Sequence, residues 1–448
     1  MCREKCAPPA SACPLIGSAL PLLLVLLLFL TQGCASRGPY RLFLMPAPEV
    51  YEADGLNPFQ DPGKIEKDTR IEVLYATDRK PVAGSDAKGF YENDRGYLLR
   101  LGVGTVRLGE EGTTWDDLKR VSLLKNRTED FPLQVTAAEE FGILDRTFSR
   151  FDSPEMLRKK SSAAGRRFAA AVEERLKRSS KKDIVVYVPG FKVNFENPLL
   201  VTAELWHYLG YDGAFVAFAW PSTPSVWAYV SDAETAALSS RTLRIFLQYL
   251  AACTSARRIH VLGYSAGSRL ITRAFYDLAL IHASDDDAAI RKALRIGQVI
   301  LVGSDVDRDI FAGMLLDGIL RIPEHFTVYM STADSALSMS SWVLNRQRLG
   351  QLTKGQTVKT HINELLRSIP NLSLIDVSEA EEAFSGNGHA YFRKSPWASS
   401  DVLATLRLDL SPDQRGLTRS KDSPIWTFPP DYISRLKTAI SGAGQGAY

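Results

Sequence analysis

The sequence predicts an α/β protein with a mostly parallel central sheet that is flanked by helices. Short, continuously apolar segments such as 183–188 and 298–302 have the composition of strands covered on both faces. They alternate with helical segments such as 233–252 and 268–282, an alternation that is typical of parallel sheets. Strand-like stretches also precede the first of these units, so we expect extra β-strands on the N-terminal side.

Composition narrows the class of protein further. The 448 residues are 45% hydrophobic and 23% charged, with a formal net charge of +3, which is ordinary for a globular enzyme and too small for nucleic-acid binding. Four of the five cysteines, Cys2, Cys6, Cys13 and Cys34, lie near the N-terminus. Only Cys253 remains in the body of the chain, so we expect no internal disulfide. No cysteine–histidine group has the spacing of a zinc site, and we expect no metal and no organic cofactor.

The N-terminus has the features of a targeting segment. Arg3 and Lys5 precede an apolar run over 15–30, which ends at Gly33-Cys34. This order predicts a secretory signal peptide, and Cys34 resembles the lipidated cysteine of a bacterial lipoprotein. We therefore expect a lipid-anchored protein of the cell envelope, on the periplasmic side of the outer membrane if the host has one. An uncleaved N-terminal membrane anchor and free secretion are the alternatives.

One segment has the pattern of a nucleophile elbow. An apolar strand enters Gly263-Tyr264-Ser265-Ala266-Gly267, and a helical segment follows. This strand–turn–helix context is the one in which Gly-x-Ser-x-Gly presents a nucleophilic serine, and it predicts the α/β-hydrolase fold. We expect Gly263 and Gly267 to be required because side chains there would clash with the neighbouring strand and helix. Ser265 is the predicted nucleophile.

The oxyanion of an acyl-transfer reaction needs two backbone N–H donors. One would come from Ala266, directly after the nucleophile. The apolar strand over 183–188 ends in Pro189-Gly190-Phe191, and the amide of Phe191, with that of Gly190, is the predicted second donor. The alternative interpretation of this segment is an ordinary turn that ends a strand.

A catalytic triad also needs an acid and a histidine later in the chain. Asp334 follows the fifth predicted strand, and Asp305 follows the fourth and is the alternative acid. His389 lies in a glycine-rich loop over 385–392, a position from which a general base can reach across a sheet edge. The order Ser265, Asp334, His389 is the one that α/β-hydrolases use.

The chain resembles a family of bacterial α/β-hydrolases of unknown function, DUF900, also known as esterase/lipase-superfamily proteins. The resemblance covers about residues 70 to 400 and lies in the elbow, the Val188-Pro189-Gly190-Phe191 turn, Asp305-Val306-Asp307, Gly388-His389 and the stretches 73–80, 218–222, 229–232 and 329–337. It implies the fold and the triad roles of Ser265, Asp334 and His389. The family often has His-Gly-Tyr where this chain has Pro189-Gly190-Phe191, and it implies no particular substrate.

These interpretations divide the chain into five segments. They are a signal peptide over 1–33, a tether over 34–69, an N-terminal β-containing extension packed on the core over 70–150, the α/β-hydrolase catalytic domain over 151–400, and a C-terminal extension over 401–448. Within the catalytic domain, the first element is a basic helix predicted over 154–182.

The function predicted from the sequence is hydrolysis of carboxylic esters, or of related acyl substrates, through an acyl-enzyme. The expected partners are a small-molecule or lipid ester and the membrane, reached through the N-terminal lipid anchor. Two alternatives stay open. One is a catalytically silent hydrolase fold that serves as a binding or scaffold protein of the envelope, and the other is an amidase or peptidase that uses the same triad.

Overall fold

A single sheet organises the protein. The computed structural model describes residues 42–51, 57–59, 68–83, 89–344, 347–351, 360–383 and 388–445. Within these ranges the sheet has eleven strands. The strands are β1 (Leu42–Phe43), β2 (Arg70–Pro81), β3 (Tyr91–Leu108), β4 (Pro132–Ile143), β5 (Asp183–Val188), β6 (Ala214–Phe218), β7 (Arg258–Tyr264), β8 (Ile296–Val302), β9 (His325–Met330), β10 (Leu372–Asp376) and β11 (Ile425–Thr427).

The sheet is parallel over most of its width. Its order is β1-β4-β3-β2-β6-β5-β7-β8-β9-β10-β11. All neighbours from β2 to β11 are parallel, whereas β1, β4, β3 and β2 pair antiparallel. Every residue of β5, β6 and β8 is buried, as expected for strands covered on both faces. The predicted fold class, including the extra N-terminal strands, is confirmed.

Helices cover both faces of the sheet. They are α1 (Trp115–Ser122), α2 (Pro154–Arg158), α3 (Ala163–Arg178), α4 (Glu196–Tyr208), α5 (Tyr229–Cys253), α6 (Gly267–Ile281), α7 (Asp287–Leu294), α8 (Arg308–Leu316), α9 (Ser335–Leu344), α10 (Thr360–Ser368), α11 (Tyr391–Lys394), α12 (Pro396–Leu408) and α13 (Tyr432–Gln445). In the described part of the chain, each helix is too short or too polar to cross a bilayer.

The predicted basic helix over 154–182 is interrupted. Ser153 caps α2 through Met156 N, as its position before Pro154 indicates, but α2 ends at Arg158 and buries no residue. The backbone N–H of Ala163 donates to the Ser161 hydroxyl at the start of α3. The prediction of one continuous helix was wrong, because only the second part buries an apolar face, which includes Phe168, Val172 and Leu176.

The strand order reverses at β5, and this reversal determines where a functional site is expected. The chain passes from β5 to β6 on one side and then returns to β7 on the other. In open parallel sheets, ligands bind outside the carboxyl ends of the strands at such a reversal. We call this end of the sheet the carboxyl edge and the opposite end the amino edge. The loops that follow β5 and β7 therefore meet at the carboxyl edge.

The segment predicted as a tether over 34–69 differs from a loose arm where it is described. Leu42–Phe43 pairs with β4, Met45 N donates to Glu204 Oε1 at 2.6 Å, and Val50 and Tyr51 are buried. The apolar side chains in this stretch outweigh the Pro and Gly content on which the prediction depended. The predicted signal peptide over 1–33 and the predicted lipidation site Cys34 lie outside the described residues.

The predicted boundary at residue 400 falls inside a helix. Asp401, in the middle of α12, is fully buried and accepts hydrogen bonds from Tyr329 of β9 and from Arg415 and Tyr432 further along the chain. Residues after 400 also supply β11 at the end of the sheet. The C-terminal segment is therefore packed into the same core as the strands before it.

Candidate active site

The turn between β7 and α6 holds Ser265 in a strained conformation. Its φ angle is 51°, in the left-handed region that residues other than glycine seldom occupy. Ser265 N donates to Val302 O at 2.9 Å, and Ser268 N donates to Ser265 O at 3.1 Å. Such a conformation costs about 1–2 kcal/mol. It persists because hydrogen bonds on both sides fix it, and it is often a sign of function.

The two glycines of the elbow are required by packing. A Cβ atom at Gly263 would lie 2.3 Å from Cδ1 of Ile271 on α6. A Cβ atom at Gly267 would lie 2.5 Å from the carbonyl oxygens of both Val188 and Pro189 at the end of β5. The clashes with helix and strand that the sequence predicted are confirmed. The tight contact at Gly267 also brings the loop after β5 against the elbow.

Asp334 and His389 meet at the carboxyl edge. His389 Nδ1 lies 2.6 Å from Asp334 Oδ2, and both residues are buried. The other carboxylate oxygen of Asp334 accepts Leu337 N at 2.9 Å, which fixes the acid at the start of α9. A carboxylate against Nδ1 favours the tautomer with the proton on that nitrogen, so that Nε2 is the basic atom of the ring.

The His389 ring lies over the end of β7, next to the elbow. Its centroid is 5.0 Å from that of Tyr264, the residue before Ser265. A Cβ atom at Gly303, directly after β8, would lie 3.0 Å from Cε1 of His389. Burial and the negative charge of Asp334 raise the pKa of Tyr264 above its usual value, so this phenol stays neutral beneath the imidazole. The structure thus brings the elbow, Asp334 and His389 to one place.

The predicted glycine-rich loop is described only in part. Residues 384–387 lie outside the described residues, and the remainder begins at Gly388 with a φ angle of 66°. A Cβ atom at Gly388 would lie 2.4 Å from Ala333 O. The loop that carries His389 therefore packs directly on the residue before Asp334.

The alternative acid, Asp305, has different partners. Its carboxylate accepts a hydrogen bond from Tyr229 Oη at 2.7 Å and from Arg269 Nε at 2.9 Å, and it lies 3.5 Å from Arg348 Nε. Its backbone N–H donates to Ser268 Oγ at 3.1 Å. Asp305 thus binds two arginines beside the elbow, whereas the imidazole of the glycine-rich loop lies against Asp334.

The loop after β5 lies against the nucleophile. A Cβ atom at Gly190 would be 2.9 Å from Cβ of Ser265. Trp220 Nε1 donates to Pro189 O at 2.8 Å, which holds this turn from the side of β6. The ring of Phe191 packs edge-on against Tyr229, with 5.2 Å between the centroids. Gly190 and buried Ala266 therefore lie directly beside Ser265, and Phe191 follows Gly190 in the same turn.

Arg79, which was not among the predicted site residues, is fully buried and joins several loops at this edge. Its guanidinium donates to Val193 O at 2.9 Å and to Ser222 O at 3.1 Å, in the loops after β5 and β6, and to Asn93 Oδ1 at 2.6 Å. Burial lowers its pKa to about 10, and it remains charged. The one signal in the sequence is Asp78-Arg79 at the end of an apolar strand, where a charge pair is unusual.

The comparison with known families agrees with this geometry. A family model described as an α/β hydrolase of unknown function (DUF900) matches residues 165–406. The match contains the elbow, the loop after β5, Asp334 and His389, and it begins after the N-terminal antiparallel strands. No curated protein matches the chain. Because the family model covers more than half of the 448 residues, the chain belongs to the DUF900 family of α/β hydrolases.

Proposed function

We propose that the protein is a serine hydrolase that cleaves carboxylic esters, or related acyl substrates, through a covalent acyl-enzyme. The observation that carries the proposal is the pairing of His389 with Asp334 beside a serine held at positive φ. An acid that orients a histidine next to an activated hydroxyl is the arrangement from which acyl-transfer catalysis is built.

In this mechanism, His389 Nε2 takes the proton of Ser265 as the oxygen attacks the acyl carbonyl. Asp334 holds the ring in the required tautomer and stabilises the imidazolium that forms. The tetrahedral oxyanion accepts hydrogen bonds from the backbone N–H groups of Ala266 and of Phe191, with Gly190 beside it. His389 then returns the proton to the leaving alcohol. A water molecule, activated by the same imidazole, hydrolyses the acyl-enzyme and restores Ser265.

A fluorophosphonate probe tests the nucleophile directly. The probe phosphonylates activated serines, so we expect one label per chain, located at Ser265 by peptide mass spectrometry and lost in Ser265→Ala. The same variant should lose hydrolysis of p-nitrophenyl acetate by about 10⁴-fold or more. If the folded wild-type protein takes up no label and hydrolyses no ester, the proposal fails and the silent scaffold of the same fold takes its place.

Matched leaving groups separate ester from amide hydrolysis. We expect p-nitrophenyl esters to be turned over far faster than the corresponding p-nitroanilides. The reason is that p-nitroaniline is a poorer leaving group than p-nitrophenol and needs protonation by His389 as it departs. Anilide turnover equal to that of the ester would instead support an amidase or peptidase.

We also propose that the protein is attached to the bacterial envelope through a lipid on Cys34. The support is in the sequence, where basic residues and the apolar run over 15–30 precede Gly33-Cys34. Metabolic labelling with an alkyne fatty acid should mark the wild-type protein and not Cys34→Ser. Membrane association that persists without label would support an uncleaved anchor, and release into the medium would support free secretion.

A further inference from the structure

A groove of about 670 Å³ opens between α5 and α8. Ala233 and Ala237, one turn apart on α5, form one wall, and Ile310 and Met314, one turn apart on α8, form the other. Val306 lies between them. The size falls in the range of small-molecule sites, which are also mostly apolar. The groove is therefore large enough for a ligand, and its walls are suited to hydrocarbon.

Most of the charged side chains around the groove have partners within the protein. Arg269 and Arg348 both interact with the carboxylate of Asp305, and Arg273 pairs with Asp277 at 3.0 Å. The lining acids, Asp307 and Asp309, are also occupied: the first accepts two backbone amides at the start of α8, and the second interacts with Arg308. The surface that the groove offers to a ligand is therefore mostly apolar.

The groove adjoins the nucleophile elbow through the residue before Val306. Val306 follows Asp305, whose backbone N–H donates to Ser268 Oγ at 3.1 Å and lies 3.4 Å from Ser265 O. The carboxylate of Asp305 holds Arg269 and Tyr229. Because Tyr229 also packs on the loop after β5, the groove begins next to the candidate active site.

Exposed apolar side chains occur on both helices that form the groove and just before the first of them. Val230 precedes Ala233 by one turn on the same face of α5, and its side chain is 63% exposed, whereas Ile310 on the facing helix is 58% exposed. Trp227, at the entrance to α5, is 88% exposed. Exposed apolar surface close to a cleft is typical of a binding site.

We propose that this groove binds the acyl chain of the substrate, and that the natural substrates are esters of medium- or long-chain fatty acids. The proposal rests on the proposed function for its chemistry, since the acyl carbon is the one that Ser265 attacks. The choice of an apolar occupant rests on the apolar walls of the groove.

A graded series of p-nitrophenyl esters, from acetate to decanoate, tests the proposal. For wild-type protein, kcat/KM should rise with chain length by up to about fourfold per methylene, the equivalent of about 0.8 kcal/mol, until the groove is filled. Ala237→Trp blocks the groove and should lower the ratio of kcat/KM for octanoate to that for acetate by at least tenfold. This ratio is independent of the amount of folded enzyme.

Ala252→Trp is the matched control. Ala252 is also an exposed alanine of α5, and it lies about 22 Å further along the helix. This variant should keep the wild-type ratio. A wild-type rate that does not rise with chain length, or a ratio that Ala237→Trp leaves unchanged, overturns the acyl-chain groove while leaving ester hydrolysis itself intact.

Binding without catalysis separates this proposal from the proposed function. Calorimetry with Ser265→Ala should detect decanoate and octanoate, with tighter binding of the longer acid, but not acetate, and Ala237→Trp in that background should abolish the heat. If this pattern appears although the wild-type protein hydrolyses no ester, the proposed binding groove is supported and the proposed serine hydrolase activity is wrong. If no fatty acid binds, the proposal that this groove binds acyl chains is wrong, whether or not the protein hydrolyses esters.

Discussion

The sheet holds a histidine and an aspartate together at each of its two edges. At the carboxyl edge, His389 Nδ1 lies 2.6 Å from Asp334 Oδ2. At the amino edge, His260 Nε2 lies 3.4 Å from Asp183 Oδ2. All four residues are buried, and the two imidazoles lie near opposite ends of β8. Burial and an acid beside an imidazole are therefore common to both pairs and do not distinguish them.

The two pairs differ in which ring nitrogen faces the acid. His260 Nδ1 accepts Gln298 N at 2.9 Å, so the lone pair of the neutral ring is occupied and the proton is on Nε2, toward Asp183. In His389 the acid faces Nδ1, and Nε2 is the basic atom. A histidine whose lone pair is bound by a backbone amide cannot serve as a base. The ring nitrogen that does not face the acid therefore decides whether each histidine can be catalytic.

The acids of the two edges also have different neighbours. Asp183 lies within 3.5 Å of Arg257 and Arg258, and Arg258 also binds Asp409 at the end of α12. This network ties together strands and helices that are distant in sequence. Asp334 instead accepts one backbone amide and one imidazole. The amino edge is thus an ion network that supports the fold.

Replacing each histidine by alanine should give the largest contrast. His389→Ala should lower kcat/KM for p-nitrophenyl acetate on the order of 10⁴–10⁶-fold, because the general base is lost. His260→Ala should retain wild-type kcat per labelled active site but lower the free energy of unfolding in urea by about 2–4 kcal/mol, since a cavity forms and Gln298 N loses its acceptor. Comparable loss of activity in both variants would mean that the two edges are not distinct.

Replacing the aspartate of each pair should give the same contrast between activity and stability, with a smaller effect on the rate. Asp334→Asn should lower kcat by about 10⁴-fold, because the amide favours the wrong tautomer of His389. Asp183→Asn should act on stability, lowering the unfolding free energy by about 3 kcal/mol as two arginines lose a buried partner. Asp305→Asn is the informative third variant: a loss of rate larger than that of Asp334→Asn would identify Asp305 as the acid.

A glycine supports each imidazole, and adding a methyl group there should have a moderate effect. A Cβ atom would lie 3.0 Å from Cε1 of His389 in Gly303→Ala and 2.8 Å from Cε1 of His260 in Gly297→Ala. Displacing His389 by a few tenths of an ångström should lower kcat by about tenfold. Gly297→Ala should lower only the melting temperature. If kcat for Gly303→Ala stays within a factor of two of wild type, the position of His389 is less critical than the mechanism requires.

The sequence predicted the part of the fold that depends on local pattern. Apolar runs identified β5, β7 and β8, and the Gly-x-Ser-x-Gly context located the turn that the structure holds at positive φ. The strands β1, β4, β10 and β11 were not predicted. Only three of the twelve residues of β4 are buried, and β11 has three half-buried residues, so the pairing of these two strands is set by their neighbours and not by a hydrophobic pattern of their own.

The long-range contacts at the site could not be predicted from sequence patterns. Arg79 bonds to residues about 14, 114 and 143 positions away, and only the folded chain reveals why an arginine is buried there. The tautomer of His260 likewise depends on an amide from a neighbouring strand. Local patterns therefore indicated the groups that can do chemistry, whereas the contacts that distinguish a catalytic from a structural histidine came from the fold.

The smallest expected effect concerns pH, where acids at the two edges have shifted pKa values of opposite sign. Burial alone raises the pKa of Asp409, but hydrogen bonds from Arg258 and Gln298 outweigh it and lower that pKa below its usual value. At the carboxyl edge, burial raises the pKa of Asp78, and the hydrogen bond from Thr242 offsets this only in part.

These directions fix the sign of each contribution to stability. Asp409 stabilises the fold above its unfolded pKa of about 3.9, and this contribution is lost as the pH falls through the lower, folded value. Asp409→Asn should therefore make the acid limb of unfolding free energy against pH shallower, by at most about 1.4 kcal/mol per pH unit. Asparagine also tolerates the left-handed backbone of this position.

Asp78→Asn should behave in the opposite sense. A carboxyl group whose folded pKa is raised contributes stability below its unfolded pKa and loses it as the pH rises through the folded value. Removing the charge should therefore leave stability near pH 3 almost unchanged and raise it at pH 7, with Thr242 still able to donate to the side chain. Urea unfolding from pH 3 to 7 measures both variants, and parallel curves for the two would contradict the contrast between the edges.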